Sequence, residues 1–262
     1  MPKVDMGKAW DEIAKDDSMY HFPRSSNPDE IVDWLQEAGD QLEAYTKDFF
    51  AAQGFSASGK RVLEIGCGPG RYTYWLSRMF ADVTAIDVSN AMLAHAQEFN
   101  RGASNIRWLQ VNGEDLHQCG DETFDFVFSS DVFKHVPSKE IVRNLFAETR
   151  RVLKPGGLFR IDFARYSQHY LRLAGIPLLP RRVFRFAPPW VLSPLQRLRC
   201  WVTRQPFRPM SVHPATLGVR FKQSELTSLI KGTGLELLAM EPDRFAYGAE
   251  WRVWYLGRRS RT

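Results

Sequence analysis

Apolar residues along this chain follow two periods in turn. Trp10, Ile13 and Ala14 keep helical spacing in a first short segment, Lys8 to Tyr20. A second segment opens at Asn27-Pro28-Asp29-Glu30, which joins an N-cap side chain, a proline at the first helical position and acids in the first turn. Ile31, Trp34, Leu35, Ala38, Leu42, Tyr45 and Phe49 then recur every three or four positions and mark one helix face. From residue 61 the pattern changes. Short apolar runs near 61–66, 82–87, 106–112, 124–130 and 158–163 read as strands, and the stretches 70–80, 90–100 and 138–153 read as helices. After a break, Gln223 to Thr233 reads as a helix, and 235–240 and 250–256 as two closing strands. Such alternation predicts an α/β fold, a doubly wound, largely parallel sheet with helices on both faces.

The break divides the chain into an N-terminal helical extension (1–56), a core (57–163 and 220–262) and an insert (164–219) between the fifth strand and the last helix. Eight of the fifteen prolines fall between Phe163 and Ser224, which argues against long helices there. Charge is uneven too. Phe163 to Ser224 holds ten arginines, one lysine and no acid, while the remainder carries 24 basic and 30 acidic residues. The net charge of +5 therefore belongs to the insert. Its arginines interleave with Phe184, Phe186, Trp190, Trp201 and Phe207. Three uses fit this mixture: a cap over an aromatic, lipidic or anionic acceptor, a surface resting on anionic lipid, or a contact between subunits.

The remaining bounds are modest. At 262 residues the chain is one domain with elaborations. It has no run of 18 apolar residues to span a membrane. Its first residues show no apolar signal-peptide region. Three cysteines without ligand spacing suit a reducing compartment. The expected location is cytoplasmic, with peripheral contact to anionic membrane through the insert as the extension of that reading.

Chemistry concentrates in Val62-Leu63-Glu64-Ile65-Gly66-Cys67-Gly68-Pro69-Gly70. A buried strand runs into a turn poor in side chains, and a helix follows with free N–H groups and a positive dipole end. A dinucleotide loop would place its third glycine at 71, where Arg71 stands. Asp87 follows the loop at about the 20-residue distance at which an acid meets ribose hydroxyls.

The G-x-G-x-G spacing, with Glu64 two residues ahead of it, resembles the first motif of class I S-adenosylmethionine (SAM) methyltransferases. Four later segments resemble that family in order: Val83 to Asp87, Ile106 to Leu116, Phe124 to Val136, and Val152-Leu153-Lys154-Pro155-Gly156-Gly157. The resemblance is tight over about Lys60 to Asp162. It implies a seven-stranded sheet of order 3-2-1-4-5-7-6 with the last strand antiparallel. It implies SAM as cofactor and S-adenosylhomocysteine (SAH) as product. By the same resemblance Gly66, Cys67, Gly68 and Gly70 give backbone contact, and Glu64 lies beneath the loop near the SAM amino group. Asp87 holds the ribose and Val88 flanks the adenine. Asn112, with the Gly113 and Glu114 backbone, reads the adenine edge, and the Ser129 carbonyl takes the ammonium. Asn112 stands where the family often has aspartate, and as part of Asn-Gly it is equally a turn former. Tyr20 and Arg24 are candidates for the methionine end.

His135 is the candidate catalytic base, against the reading that it packs at a helix start. His169 and His213, in or beside the insert, are equally placed. Asp131 and Asp162 resemble the acids of magnesium-dependent catechol-type enzymes, but Phe163 stands where those have asparagine, and no metal is expected. The expected activity is methyl transfer to a small-molecule acceptor, foremost at an oxygen. Alternatives are C-methylation of a membrane-soluble, quinone-like ring, a nucleic-acid methyltransferase, and a non-catalytic SAM-binding subunit. No nucleic acid partner is expected. Ser129-Ser130-Asp131-Val132 lacks the Asn/Asp-Pro-Pro-aromatic motif, and no Pro-Cys nucleophile occurs there.

Overall fold

A computed structural model of the protein describes residues 5–15, 28–164, 170–173, 176–180, 218–243, 245 and 252–260. The chain divides into two compact units, Met1–Arg165 with Pro214–Thr262, and Tyr166–His213. In the larger unit the strands are β1 (Arg61–Ile65), β2 (Asp82–Asp87), β3 (Ile106–Gln110), β4 (Phe124–Ser129), β5 (Leu153–Ala164), β8 (Leu235–Pro242) and β9 (Arg252–Arg259). In the smaller unit β6 (Tyr170–Leu173) and β7 (Ile176–Pro180) form an antiparallel pair, an element that the pattern of the insert did not announce. The helices are α1 (Met6–Lys15), α2 (Pro28–Ala52), α3 (Arg71–Met79), α4 (Asn90–Phe99), α5 (Lys139–Val152) and α6 (Gln223–Gly232).

The sheet has the expected order, β3-β2-β1-β4-β5-β9-β8. β1 lies parallel between β2 and β4, with Glu64 opposite Ala85 on one side and Phe128 on the other. β9 runs antiparallel between β5 and β8, with Asp162 opposite Trp254. Because β1, β2, β4 and β5 point the same way, their carboxyl ends meet along one edge of the sheet. That edge is where open α/β sheets bind ligands.

Alternation along the strands sorts the core into two layers. Leu63, Ile65, Val127, Phe159 and Ile161 face α5 and α6 with Val142, Phe146, Leu226 and Ile230. Val62, Val83, Ala85, Phe126, Phe128, Leu158 and Trp254 face α2 and α3 with Leu42, Tyr45, Phe49 and Leu76. β4 is apolar on both faces, as a strand buried in the middle of a parallel sheet must be.

Two boundaries differ from the sequence reading. β5 starts at Leu153, directly where α5 stops, rather than at 158. Leu153 pairs with Phe124, and the register then shifts before Phe126 meets Leu158. Pro155-Gly156-Gly157 thus sits in a bulge inside the strand, with Gly156 at φ +78°, instead of forming a separate turn. β9, Arg252–Arg259, runs three residues past the expected end at 256, and residues 250 and 251 lie outside the described residues. Its charged end is held by partners distant in sequence: Arg258 pairs with Glu236, and Arg259 with Glu122 and the Leu153 carbonyl. Hydropathy cannot see such pairing.

Phe126 is the hub of one layer. Its ring is fully buried and lies 5.0 Å from Phe50, 5.9 Å from Phe80 and 6.1 Å from Phe55. Phe126→Ala is expected to cost about 3–5 kcal/mol of stability, the range for emptying a buried aromatic site. Urea unfolding followed by tryptophan fluorescence measures it.

Candidate cofactor and acceptor site

The loop after β1 is fixed to its neighbour before it reaches any ligand. The Gly66 and Cys67 N–H groups both donate to the Ile86 carbonyl, at 2.8 and 3.0 Å. Gly70 opens α3 at φ +86°, and a Cβ there would fall 2.7 Å from Asn100 Nδ2 and 3.0 Å from Ala96 Cα. Gly70 is therefore glycine for both conformation and packing. Gly68 differs. It too is left-handed, at φ +52°, but a Cβ built on it meets nothing within 4 Å. The backbone at Gly68 faces open space, and the start of α3 has no side-chain cap on its N–H groups.

Asp87 closes the loop from the other side. One carboxylate oxygen accepts from the Gly68 N–H at 2.9 Å and the other from the Ser89 N–H at 2.9 Å. Burial pushes its pKa up, and the backbone N–H bonds act against that. Each oxygen keeps further lone-pair capacity for a hydroxyl. Val88 follows, and a Cβ on Gly113 would come 2.7 Å from its Cγ1, so these two positions close together across the β2 and β3 ends.

Asn112 is engaged within its own turn. Its amide oxygen accepts from the Glu114 N–H at 2.7 Å and the Asp115 N–H at 3.2 Å, and its amide nitrogen donates to Asp115 at 3.0 Å. The oxygen expected to meet an adenine amino group is thus already doubly bonded, and the turn-forming reading describes what the residue does here. Ser129, at the end of β4, is fully buried, and its hydroxyl donates to the Ile65 carbonyl at 2.9 Å. His135 is buried at the end of the 3-10 turn Phe133–His135, with the Trp10 ring edge-on at 5.0 Å. Tyr20, Arg24, His169 and His213 lie outside the described residues.

Glu64 lies beneath the loop on the α3 side of the sheet. It is 2% exposed and accepts a 2.5 Å hydrogen bond from the Thr73 hydroxyl. Cys67, behind the loop, is also buried, and its thiol pKa is pushed up by burial.

A second cluster, at the carboxyl ends of β4 and β5, joins Asp131 and Asp162 to an arginine that the sequence reading missed. The Arg252 guanidinium pairs with Asp131, with Asp162 at 3.1 Å and with Asp243, and Lys134 also pairs with Asp131. Asp243 in turn accepts from the Tyr45 hydroxyl at 3.0 Å. The Asp131 N–H donates to Asp162 at 2.7 Å, and Asp131 takes the left-handed φ of +68°, a conformation that costs a non-glycine residue energy. Burial raises Asp162 to about 6, against the pull of Arg252. Burial would raise Asp131 as well, but Lys134 and Arg252 hold it below the usual carboxylate range. The two acids considered as metal ligands thus face an arginine that fills the space between them. An arginine at the start of β9 gives no sequence signal for such a role. Its partners lie 90, 121 and 9 residues away, so only the fold brings them together.

Three comparisons bear on this site. Residues 63–161 match the family described as "Methyltransferase domain". A ubiquinone biosynthesis O-methyltransferase of Pseudomonas fluorescens is 36% identical over 138 residues, 49% of this chain and 57% of that protein. One of the same name from Acinetobacter baumannii is 35% identical over 119 residues, 44% of this chain and 48% of that protein. The chain thus spans about half the length of the curated relatives it matches. Among solved structures, magnesium protoporphyrin IX methyltransferase from Synechocystis PCC 6803 with bound SAM superimposes with a TM-score of 0.62 at 14% identity, covering 99% of this chain and 100% of that one. An N-methyltransferase from Bradyrhizobium japonicum WM9 in complex with SAH gives 0.59 at 15% identity, covering 98% and 99%. Residues 63–161 thus match a methyltransferase domain, and the chain shares the Rossmann-like α/β fold of these solved methyltransferases. None of the described helices is long and apolar enough to cross a membrane.

Glu64 makes the site's pH response testable. Burial raises its pKa from 4.5 to about 8, despite the Thr73 bond. The folded state therefore keeps a proton that the unfolded chain has released. Its contribution to stability is complete below pH 4.5, declines as pH rises and levels off above about 8. Glu64→Gln keeps an acceptor for Thr73 and has no proton to lose. Relative to it, the wild-type melting temperature should fall between pH 5 and 8, measured by calorimetry in matched buffers. Parallel profiles would show that Glu64 does not titrate there.

Proposed function

We propose that this chain is a SAM-dependent methyltransferase that transfers its methyl group to a hydroxyl oxygen on a small aromatic or lipidic acceptor. The observation that carries the donor half is the Gly68–Asp87 hydrogen bond beside an open Gly68 backbone. It sets a carboxylate with spare lone pairs next to a surface that only a side-chain-free loop leaves clear. The residues present fit the cofactor. Asp87 would take the ribose hydroxyls, Val88 and the Gly113–Glu114 backbone would flank the adenine, and the Gly66–Gly70 backbone would lie along the methionine portion. Glu64 and the Ser129 carbonyl are assigned to the ammonium end. When bound, the cofactor supplies a methyl already activated on a sulfonium, so the protein's share is positioning and exclusion of water.

The acceptor half rests on other grounds. Both relatives carry O-methyltransferase in their names. The insert, residues 164–219, supplies aromatic and cationic side chains suited to a ring with an anionic or hydroxyl substituent. His135 follows β4 on the 3-10 turn and is assigned the hydroxyl proton. As the acceptor oxygen bonds to the methyl carbon, its proton passes to the imidazole.

Calorimetric titration with SAH tests the donor half, and absence of binding to folded protein would end the reading. Asp87→Ala should weaken SAH by at least about tenfold, from the loss of hydrogen bonds to a charged group. His135→Gln should leave SAH affinity within about threefold and lower methyl transfer about a hundredfold, the scale of a lost general base. Labelled SAM and a panel of ring-hydroxylated aromatics, with and without apolar tails, supply the turnover assay.

A further inference from the structure

We propose that Asp11 is a latch: a positioning residue that holds α1 closed over the bound cofactor and, through Ser89, fixes the carboxylate of Asp87. The proposal rests on the reading of the Gly66–Asp87 region as a SAM site.

The course of α1 follows from what it touches. At one end Gly7 presses on the residue after Asp87, where a Cβ would lie 2.9 Å from the Val88 carbonyl oxygen. Along its length Ala9, Ile13 and Ala14 pack on Met92 of α4. On its other side the Trp10 ring meets His135 at 5.0 Å and 73°. Val88 follows β2 and His135 follows β4, and β1 lies between those strands. Gly7 and Trp10 stand about one helical turn apart, so this turn, with the Trp10 side chain, bridges the ends of β2 and β4 on either side of β1.

Asp11 supplies the polar hold. One of its carboxylate oxygens accepts from the Ser89 hydroxyl at 2.6 Å and from the Ala91 N–H at 3.1 Å. Ser89 is already the N-cap of α4, accepting from the Met92 N–H at 3.1 Å. Its own N–H donates to Asp87 at 2.9 Å. One serine thus joins the latch to the ribose acid. The start of α4 favours a carboxylate on dipole grounds, but α4 has its cap without Asp11, so the acid's distinctive effect is on α1. The apolar hold is small. Ala9, Ile13, Ala14 and Met92 form a cluster separate from the two main layers of the core, which makes α1 a low-stability element able to open without global unfolding. Cofactor entry and SAH departure then require α1 to lift.

The test compares Asp11→Ala with Asp11→Asn in the full chain. The asparagine keeps an oxygen acceptor for Ser89 and Ala91. SAH dissociation, followed by stopped-flow displacement with excess SAM, should accelerate about tenfold or more in Asp11→Ala and stay within about threefold of wild type in Asp11→Asn. Hydrogen exchange of the 6–15 amides should slow when SAH is added to wild type, and this protection should be lost in Asp11→Ala. A purely structural role would lower the melting temperature while leaving the dissociation rate unchanged. Wild-type dissociation from folded Asp11→Ala, or no SAH-dependent protection of 6–15 in a wild type that binds SAH, would overturn the latch alone. A wild type that does not bind SAH would overturn the SAM reading and the latch with it.

Discussion

The Asp87 carboxylate is the constraint on which the edge of the sheet depends. It stands at the end of β2 and bonds backward to the Gly68 N–H and forward to the Ser89 N–H. The first bond holds a left-handed glycine loop that has no side chains of its own to hold it. The second sets the first turn of α4. Together with the bonds from Gly66 and Cys67 to Ile86, it makes the two βα turns one rigid body. A charged group buried this far costs energy unless it is bonded, and the backbone N–H groups provide that compensation. The same arrangement leaves the carboxylate aimed at the loop surface. The scaffold and the proposed ribose contact are thus one interaction.

Arg252 plays a comparable part beyond the ends of β4 and β5. Three buried or half-buried aspartates, from the turn after β4, from β5 and from the end of β8, would repel one another, and one guanidinium from β9 answers all three. Such a cluster is weak evidence for net stability, because desolvation offsets much of the attraction. Its effect is geometric: Asp131 is held in a left-handed conformation just past the end of β4, which sets the course of the chain toward Lys134 and His135. Residues 218 and 219 lean on the same turn. Gly218 packs so closely on Lys134 that a Cβ would meet its carbonyl oxygen at 2.1 Å, and the Val219 N–H donates to the Val136 carbonyl.

What the sequence disclosed followed the range of the forces involved. The sheet order, the helices and the glycine loop rest on local periodicity and turn chemistry, and a linear pattern carries those. Asp87 was legible because it ends a strand at a fixed distance from the loop. Asn112 was half legible: its position spoke of adenine, and its side chain is spent on the Asn-Gly turn. The bulge in β5 hid because Pro155-Gly156-Gly157 has the composition of a turn. The link from Tyr45 through Asp243 to Arg252 gave no signal, since the chain between Tyr45 and Asp243 spans almost the whole core. Asp11 stayed silent for the same reason, as its partners stand 78 and 80 residues further along.

The acids along this edge also order the donor against its product. Glu64 keeps its proton through neutral pH because it is buried. Asp131 and Asp162 face Arg252 and Lys134. Asp87 is answered only by backbone N–H groups, and Asp11 by a hydroxyl and one N–H, with no cation beside either carboxyl among the described residues. A field of this sign, in a partly dry site, favours a ligand that carries a sulfonium over one whose sulfur is neutral. On the proposed reading, methyl transfer removes that positive charge and weakens the hold of the site at the moment the product must leave. The closed helix slows exchange of both ligands alike, and the electrostatics then distinguish them.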